Sequence, residues 1–558
     1  MPSVTRRDLM KSGMLAGAAA LGPAGATAGA DRTSAGQRKN ILFLCVDQLR
    51  SFADLPASLP LPNIARLRRR GWSYANYHIH EAPCGPSRSV IYTGQHIQKT
   101  GVYNNPPGTD ATIKPGERVI SLPPSFPTIG RMLRDQGYYT AYKGKWHLSV
   151  VNQTIVRSHP GDYPNAEHAL EPYGFSNYNF DGEHSGETWD GFGHDGFIAA
   201  DAIGLMREFV AGRTKGAPWF LAVNFINPHD IMFFDATGTQ SQTRSNANFI
   251  GPVKTAPPVF PYDAQWNPAL PRSFYADTLA QKPAAQGDQL AGSERTFGAM
   301  ASEADWRVYL NYYFNCIRDV DRNIGLVLDG LDALKLADST IVVLTSDHGE
   351  QGGAHHLRGK GGDMYKETMR VPLVVRHPDR PSSGETQALA CPLDLAPTIL
   401  GWAGLTDARR QQHYPFLKGV DLSPTLGDPR ARSPRDENGI LFNYMTPGLL
   451  SARPGAPKLA RTLFRGTFDG RYKFARYFSV AQHHIPRDWD TLLRYNDLEL
   501  YDTVADPDEL TNLAFDPARH RDLILALNTR TNRLIESEIG VDDGSIYPGE
   551  PGQYRLDR

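Results

Sequence analysis

The sequence predicts an α/β fold: a large, mostly parallel β-sheet flanked by helices, followed by a smaller C-terminal α+β subdomain. Three observations predict it. Five short apolar runs, at 40–46, 138–142, 219–225, 339–345 and 371–376, are continuous rather than alternating, as strands covered on both faces should be. Helix-like stretches such as 125–136 and 306–334 lie between them, and alternating strand and helix implies parallel strands joined by crossovers. From about residue 430 the texture changes to short alternating runs at 439–444, 471–478 and 498–501, which read as antiparallel strands, followed by an amphipathic helix over about 520–539.

Taken in chain order, residues 1–30 read as an export signal. Arg6 and Arg7 precede a weakly apolar Ala/Gly-rich run that ends in Ala26-Thr27-Ala28 and Ala28-Gly29-Ala30, two small-residue cleavage options. The pattern resembles a twin-arginine signal and predicts a periplasmic or secreted protein. Residues 31–430 form the main α/β domain, and 431–558 the C-terminal subdomain with its small antiparallel sheet. The segment from about 160 to 300 is loop-rich and reads as lids or binding loops. Its aromatics Tyr173, Phe175, Trp189 and Phe192 fit a stacking contact and core packing equally well.

Composition excludes several classes. The chain has 558 residues, 40% hydrophobic and 21% charged, which is globular rather than disordered. Lys+Arg is 59 against 60 Asp+Glu, so no basic excess points to nucleic acid or an anionic membrane surface. No run of 18 apolar residues predicts a membrane span. Four cysteines at this length are no disulfide framework.

The residues just beyond each strand are more informative. Asp47-Gln48 comes after the first run, Lys143-Gly144-Lys145-Trp146-His147 after the second, Asn227-Pro228-His229-Asp230 after the third and Asp347-His348-Gly349 after the fourth. Ligands of open α/β sheets bind beyond the carboxyl ends of the strands, so four strands aim metal-type and anion-type side chains at one edge. Cys84-Gly85-Pro86-Ser87-Arg88 adds a nucleophile. Pro86 suits the first turn of a helix. Cys84 would then face free N–H groups and the positive dipole end, with Arg88 on the same face, where a thiol has reason to ionise. Cys45, Cys316 and Cys391 read as small buried hydrophobes.

Cys84-Gly85-Pro86-Ser87-Arg88 resembles the sulfatase signature Cys-x-Pro-Ser-Arg. The other blocks of that family occur in order: 40–48, Gly144-Lys145-Trp146-His147-Leu148, Asn227-Pro228-His229, Ser346-Asp347-His348-Gly349 with Lys360 downstream, and Leu498-Glu499-Leu500-Tyr501-Asp502 with Asn512-Leu513-Ala514. The resemblance covers about residues 38–515 and implies an alkaline-phosphatase-like core. It also implies that Cys84 is oxidised to formylglycine, which works as its hydrate. A metal site would comprise Asp47, Gln48, Asp347, His348 and an oxygen of modified Cys84. Its hard oxygen donors favour Ca²⁺, while the imidazole also suits Mn²⁺. Gln48 and His348 stand where many sulfatases carry Asp and Asn, a variant similar to choline sulfatases and phosphonate monoester hydrolases.

By the same resemblance, Lys145 and Lys360 hold the sulfate oxygens, Arg88 steadies the formylglycine, His147 is the candidate base and His229 protonates the leaving oxygen, with Lys360 as its companion. Asn105, 21 residues after Cys84, is similar to a sulfate-contacting Asn of the choline-sulfatase group, with Asn104 beside it. The implied partners are a small sulfate ester and a formylglycine-generating enzyme that acts before export. The alternative on this scaffold is a phosphonate monoester or phosphodiester hydrolase.

Overall fold

A computed structural model describes residues 38–106, 119–151, 168–178, 188–240, 253–446, 460–544 and 546; the signal at 1–30 lies outside them. Seven strands form the large sheet: β1 (Asn40–Asp47), β2 (Trp72–Tyr77), β3 (Tyr139–Gly144), β4 (Trp219–Pro228), β5 (Thr340–Ser346), β6 (Leu373–Arg376) and β7 (Gly384–Ala390), in the order β3-β4-β1-β5-β6-β2-β7. β1 is central, with Ile41 level with Phe220 on β4 and Ile341 on β5, and these pairings are parallel, as is β3 with β4. β6 runs antiparallel to both β5 and β2, so the fifth apolar run is a reversed strand within a mostly parallel sheet.

The continuous apolar runs follow from burial on both faces. Ile41, Phe43 and Cys45 join one core with Phe220, Ile341 and Val343. Leu42, Leu44 and Val46 join the other with Leu221, Val223 and Leu344. The first face carries helix α1 (Cys84–Thr93). The second is covered by α2 (Asp190–Val210) and α3 (Glu303–Ala333). α3 starts at Ser302, whose hydroxyl accepts the Asp305 N–H in a reciprocal capping box. On the first face lies α4 (Leu395–Trp402).

A second sheet has four antiparallel strands, β8 (Ile440–Tyr444), β9 (Leu463–Phe468), β10 (Tyr472–Phe478) and β11 (Asp497–Asp502), in the order β11-β10-β9-β8. Helix α5 (Arg521–Leu534) lies against it and runs into a π-turn, Ile535–Ile539. Phe442, Phe464 and Tyr477 pack into the core on the α1 face of the large sheet. Among the described residues no helix is long and apolar enough to cross a membrane.

Candidate active site

The carboxyl ends of the parallel strands β1, β3, β4 and β5 meet, as the sequence predicts, and each turn there is locally forced. Gln48 and His147 adopt positive φ. Gly144, at φ +82°, sits so close to β4 that a Cβ would come 2.0 Å from the Asn224 carbonyl oxygen, so only glycine lets the chain turn Lys145 inward. At Gly349 a Cβ would lie 1.9 Å from the Glu367 carbonyl oxygen.

Cys84 is the first residue of α1, all ten residues of which are buried. Its Sγ lies 3.1 Å from His348 Nε2 and 3.6 Å from Asp47 Oδ1, and His147 and His229 also reach it. The candidate donor atoms of Asp47, Cys84, Asp347 and His348 all lie within 4.8 Å of one another. Arg88 fastens this group together. Its Nε donates to Asp347 Oδ2 at 2.8 Å, Nη2 lies 3.5 Å from Asp47 Oδ2, and Nη1 donates to the Lys145 carbonyl at 3.0 Å. Lys145 Nζ pairs with Asp47 Oδ2 at 2.7 Å. Lys360 Nζ donates to Gln48 Oε1 at 2.6 Å, and Gln48 Nε2 donates to Glu350. Asn105 Oδ1 accepts the Gly85 N–H at 2.9 Å, which places it against the first turn of α1, while Asn104 Oδ1 accepts the Asn105 N–H.

The charges bias one another. Burial alone would raise the Cys84 thiol, but Lys360, Lys145, His348 and His147 outweigh it and hold the thiol well below its ordinary range. Burial would also raise Asp47, yet Lys145, His229 and Arg88 keep it below the usual carboxylate range. His348 goes up because Asp347 and Cys84 outweigh its burial. His229 is held at about 4 by burial and by the positive charges of Lys145 and Lys360, so the imidazole is neutral at neutral pH. The other three cysteines are buried, and each thiol is pushed up by that burial.

The sulfatase family model matches residues 39–405. The chain belongs to the sulfatase family. This sulfatase is similar to a multifunctional alkaline phosphatase superfamily protein, PehA, of Trinickia caryophylli, at 26% identity over 86% of this chain and 92% of that protein. It is 25% identical to a choline-sulfatase of Rhizobium meliloti over 86% of this chain and 83% of that one. Its fold is like that of a phosphonate monoester hydrolase of Agrobacterium radiobacter, with a TM-score of 0.60, 21% identity, and 90% and 96% of the two chains covered. The sulfatase is therefore an enzyme on an alkaline-phosphatase-superfamily scaffold.

Every site residue expected from the sequence lies in or beside this cluster. Tyr173 and Phe175 are core residues of this sulfatase. Trp189 donates to the Thr255 carbonyl, and Phe192 is 37% exposed. Two contributors carry no sequence signal. Asn224, inside β4, accepts from Arg88 and Tyr92, and Glu350 anchors Gln48.

Proposed function

We propose that this sulfatase hydrolyses sulfate monoesters, in the manner of an arylsulfatase, through a formylglycine hydrate made from Cys84. The observation that carries this reading is the convergence of Lys145, Lys360, His147, His229 and His348 on the Cys84 sulfur at a helix N-terminus. An aldehyde hydrate at that place supplies one oxygen to attack sulfur and a second hydroxyl whose ionisation expels sulfate. Lys145 and Lys360 hold the sulfate oxygens as fixed charges in a water-poor site, which is usually the largest catalytic contribution. His147 accepts the proton of the remaining hydroxyl. A bound sulfate ester brings negative charge to His229, raises its proton affinity, and lets it, with Lys360, serve the leaving oxygen.

Two buried carboxylates, an imidazole and the position-84 side chain fit a divalent cation, and Ca²⁺ suits the oxygens. Asp47, Asp347, His348 and the Gln48 amide oxygen would hold it. When bound, it would lower the pKa of the attacking oxygen. In this reading residues 31–430 form the catalytic domain and 431–558 the C-terminal subdomain. Residues 1–30 are a twin-arginine signal that directs the modified protein out of the cytoplasm.

A second reading, a phosphonate monoester or phosphodiester hydrolase, is favoured by Gln48 and His348. Two measurements decide. Peptide mass spectrometry on protein from its native host reads position 84, where an aldehyde is expected and a plain thiol in all molecules overturns the covalent mechanism. Values of kcat/KM on matched aryl sulfate and aryl phosphonate esters read the preference; sulfate is expected to win, and a clear phosphonate preference installs the second reading.

A further inference from the structure

Glu350 lies two residues beyond His348 and is 0% exposed. Its Oε1 accepts three donors, each at 2.9 Å: the Tyr309 hydroxyl from α3 and the backbone N–H groups of Gly352 and Gly359. Its Oε2 accepts from Gln48 Nε2. Arg50 Nη2 holds the Glu350 carbonyl at 2.6 Å. One side chain thus ties the end of β1, the N-terminal part of α3 and both arms of the loop that delivers Lys360.

We infer that Glu350 is a positioning residue, which fixes the orientation of the Gln48 amide and the placement of Lys360. The inference rests on the proposed function, in which Lys360 holds sulfate oxygens. A carboxylate can only accept hydrogen bonds, whereas an amide has a donor end and an acceptor end. Glu350 therefore forces the NH₂ end of Gln48 toward itself and leaves Oε1 for Lys360 Nζ, 2.6 Å away. Turned over, the amide would set oxygen against carboxylate and NH₂ against ammonium. The loop between Glu350 and Lys360 is irregular, with Gly352, Gly353, His355, His356 and Gly359 all at positive φ. Its two arms meet in only two cross-arm backbone bonds, from Gln351 N–H to the Gly359 carbonyl at 2.8 Å and from Gly353 N–H to the Leu357 carbonyl at 2.9 Å. Oε1 of Glu350 adds a side-chain tie that holds the outgoing arm at Gly352 and the returning arm at Gly359, one residue before Lys360.

The test is Glu350→Gln, alone and combined with Gln48→Glu. In the single variant the new amide oxygen still accepts from the loop and Tyr309, but the new NH₂ faces the NH₂ of Gln48, and the Gln48 amide turns over. Expected is a fall of about 10–100-fold in kcat/KM on 4-nitrophenyl sulfate, with little change in the melting temperature. The swapped pair, Q48E with E350Q, again sets a donor against an acceptor and leaves an oxygen for Lys360, so most of the lost kcat/KM returns. Binding of inorganic sulfate, followed by calorimetry, should weaken in E350Q and recover in the swap. This second readout needs no turnover, so it judges Glu350 even if the esterase reading fails. The inference is overturned if E350Q keeps sulfate affinity and kcat/KM within about threefold of the parent. It is equally overturned if activity falls only in step with melting temperature and the swap restores nothing.

Discussion

At the carboxyl edge of the large sheet, Lys145, Lys360 and the imidazoles of His147, His229 and His348 gather around one sulfur. In the small sheet, buried cations close locally instead: Arg465 on Asp542 at 2.8 Å and Lys473 on Glu509 at 2.6 Å. Both regions bury charge completely, so burial of an ion pair does not mark function. The difference lies in convergence. Arg465 and Lys473 each meet a carboxylate whose charge they cancel, and each pair ties one part of the chain to another, while Arg476 on β10 is held by the neutral amides of Asn528 and Asn532. At the large sheet the cations crowd around Cys84 as well as Asp47, Asp347 and Gln48, and the field at the sulfur is strong enough to overcome the cost of burying a thiolate.

Substitutions in each region test the contrast. The largest effect is expected at the site. Cys84→Ala should lower turnover of an aryl sulfate by about 10⁴-fold or more, whereas Cys45→Ala, at an equally buried thiol, should leave kcat unchanged and cost about 1 kcal/mol of stability. Steady-state kinetics beside urea melts reads both, and comparable activity loss in the two variants would erase the distinction. In the small sheet, Arg465→Met should do the reverse. It strands Asp542 without its main partner and should cost about 3–5 kcal/mol of unfolding free energy, with KM and kcat of the folded fraction close to those of the parent.

The smallest effect lies where the two regions are clasped. Glu538, in the π-turn after α5, accepts from Arg435 Nη1 at 2.5 Å and pairs with His96 at 2.8 Å, just beyond α1. Burial would raise its carboxyl, but Arg435 and His96 hold it at about 2 rather than 4.5. A depressed carboxyl stabilises the fold above its ordinary value and loses that contribution as pH falls from 4.5 to about 2. By linkage the contribution is about 3 kcal/mol. Glu538→Gln should therefore flatten the acid fall of the melting temperature over that window, and an unchanged slope would show that the clasp carries no such load.

Much of this was legible in the sequence because the central strands are apolar on both faces and end abruptly in chemistry: Val46 then Asp47, Ser346 then Asp347. The unread parts had physical reasons. β2 reads Trp-Ser-Tyr-Ala-Asn-Tyr and β7 Gly-Glu-Thr-Gln-Ala-Leu-Ala, and neither has the continuous apolar run of a central strand. The antiparallel direction of β6 is a matter of connection, which hydrophobicity does not encode. β9 hides an arginine and a glycine, and the arginine is tolerated because of Asp542, 77 positions away. Glu350 escaped notice because two of its partners are backbone N–H groups, which have no letter in the sequence.

The complete burial of α1 has a consequence for the order of events in the life of the molecule. Cys84 and the nine residues after it in the helix are all buried in the folded protein. Another protein that has to grip this stretch and alter the sulfur needs it as open chain. If Cys84 is converted to formylglycine as proposed, folding acts as a deadline: a molecule that closes with its thiol intact stays in that form until it unfolds. Two populations with the same fold and different chemistry at position 84 would then persist side by side, in proportions set by a race between folding and modification.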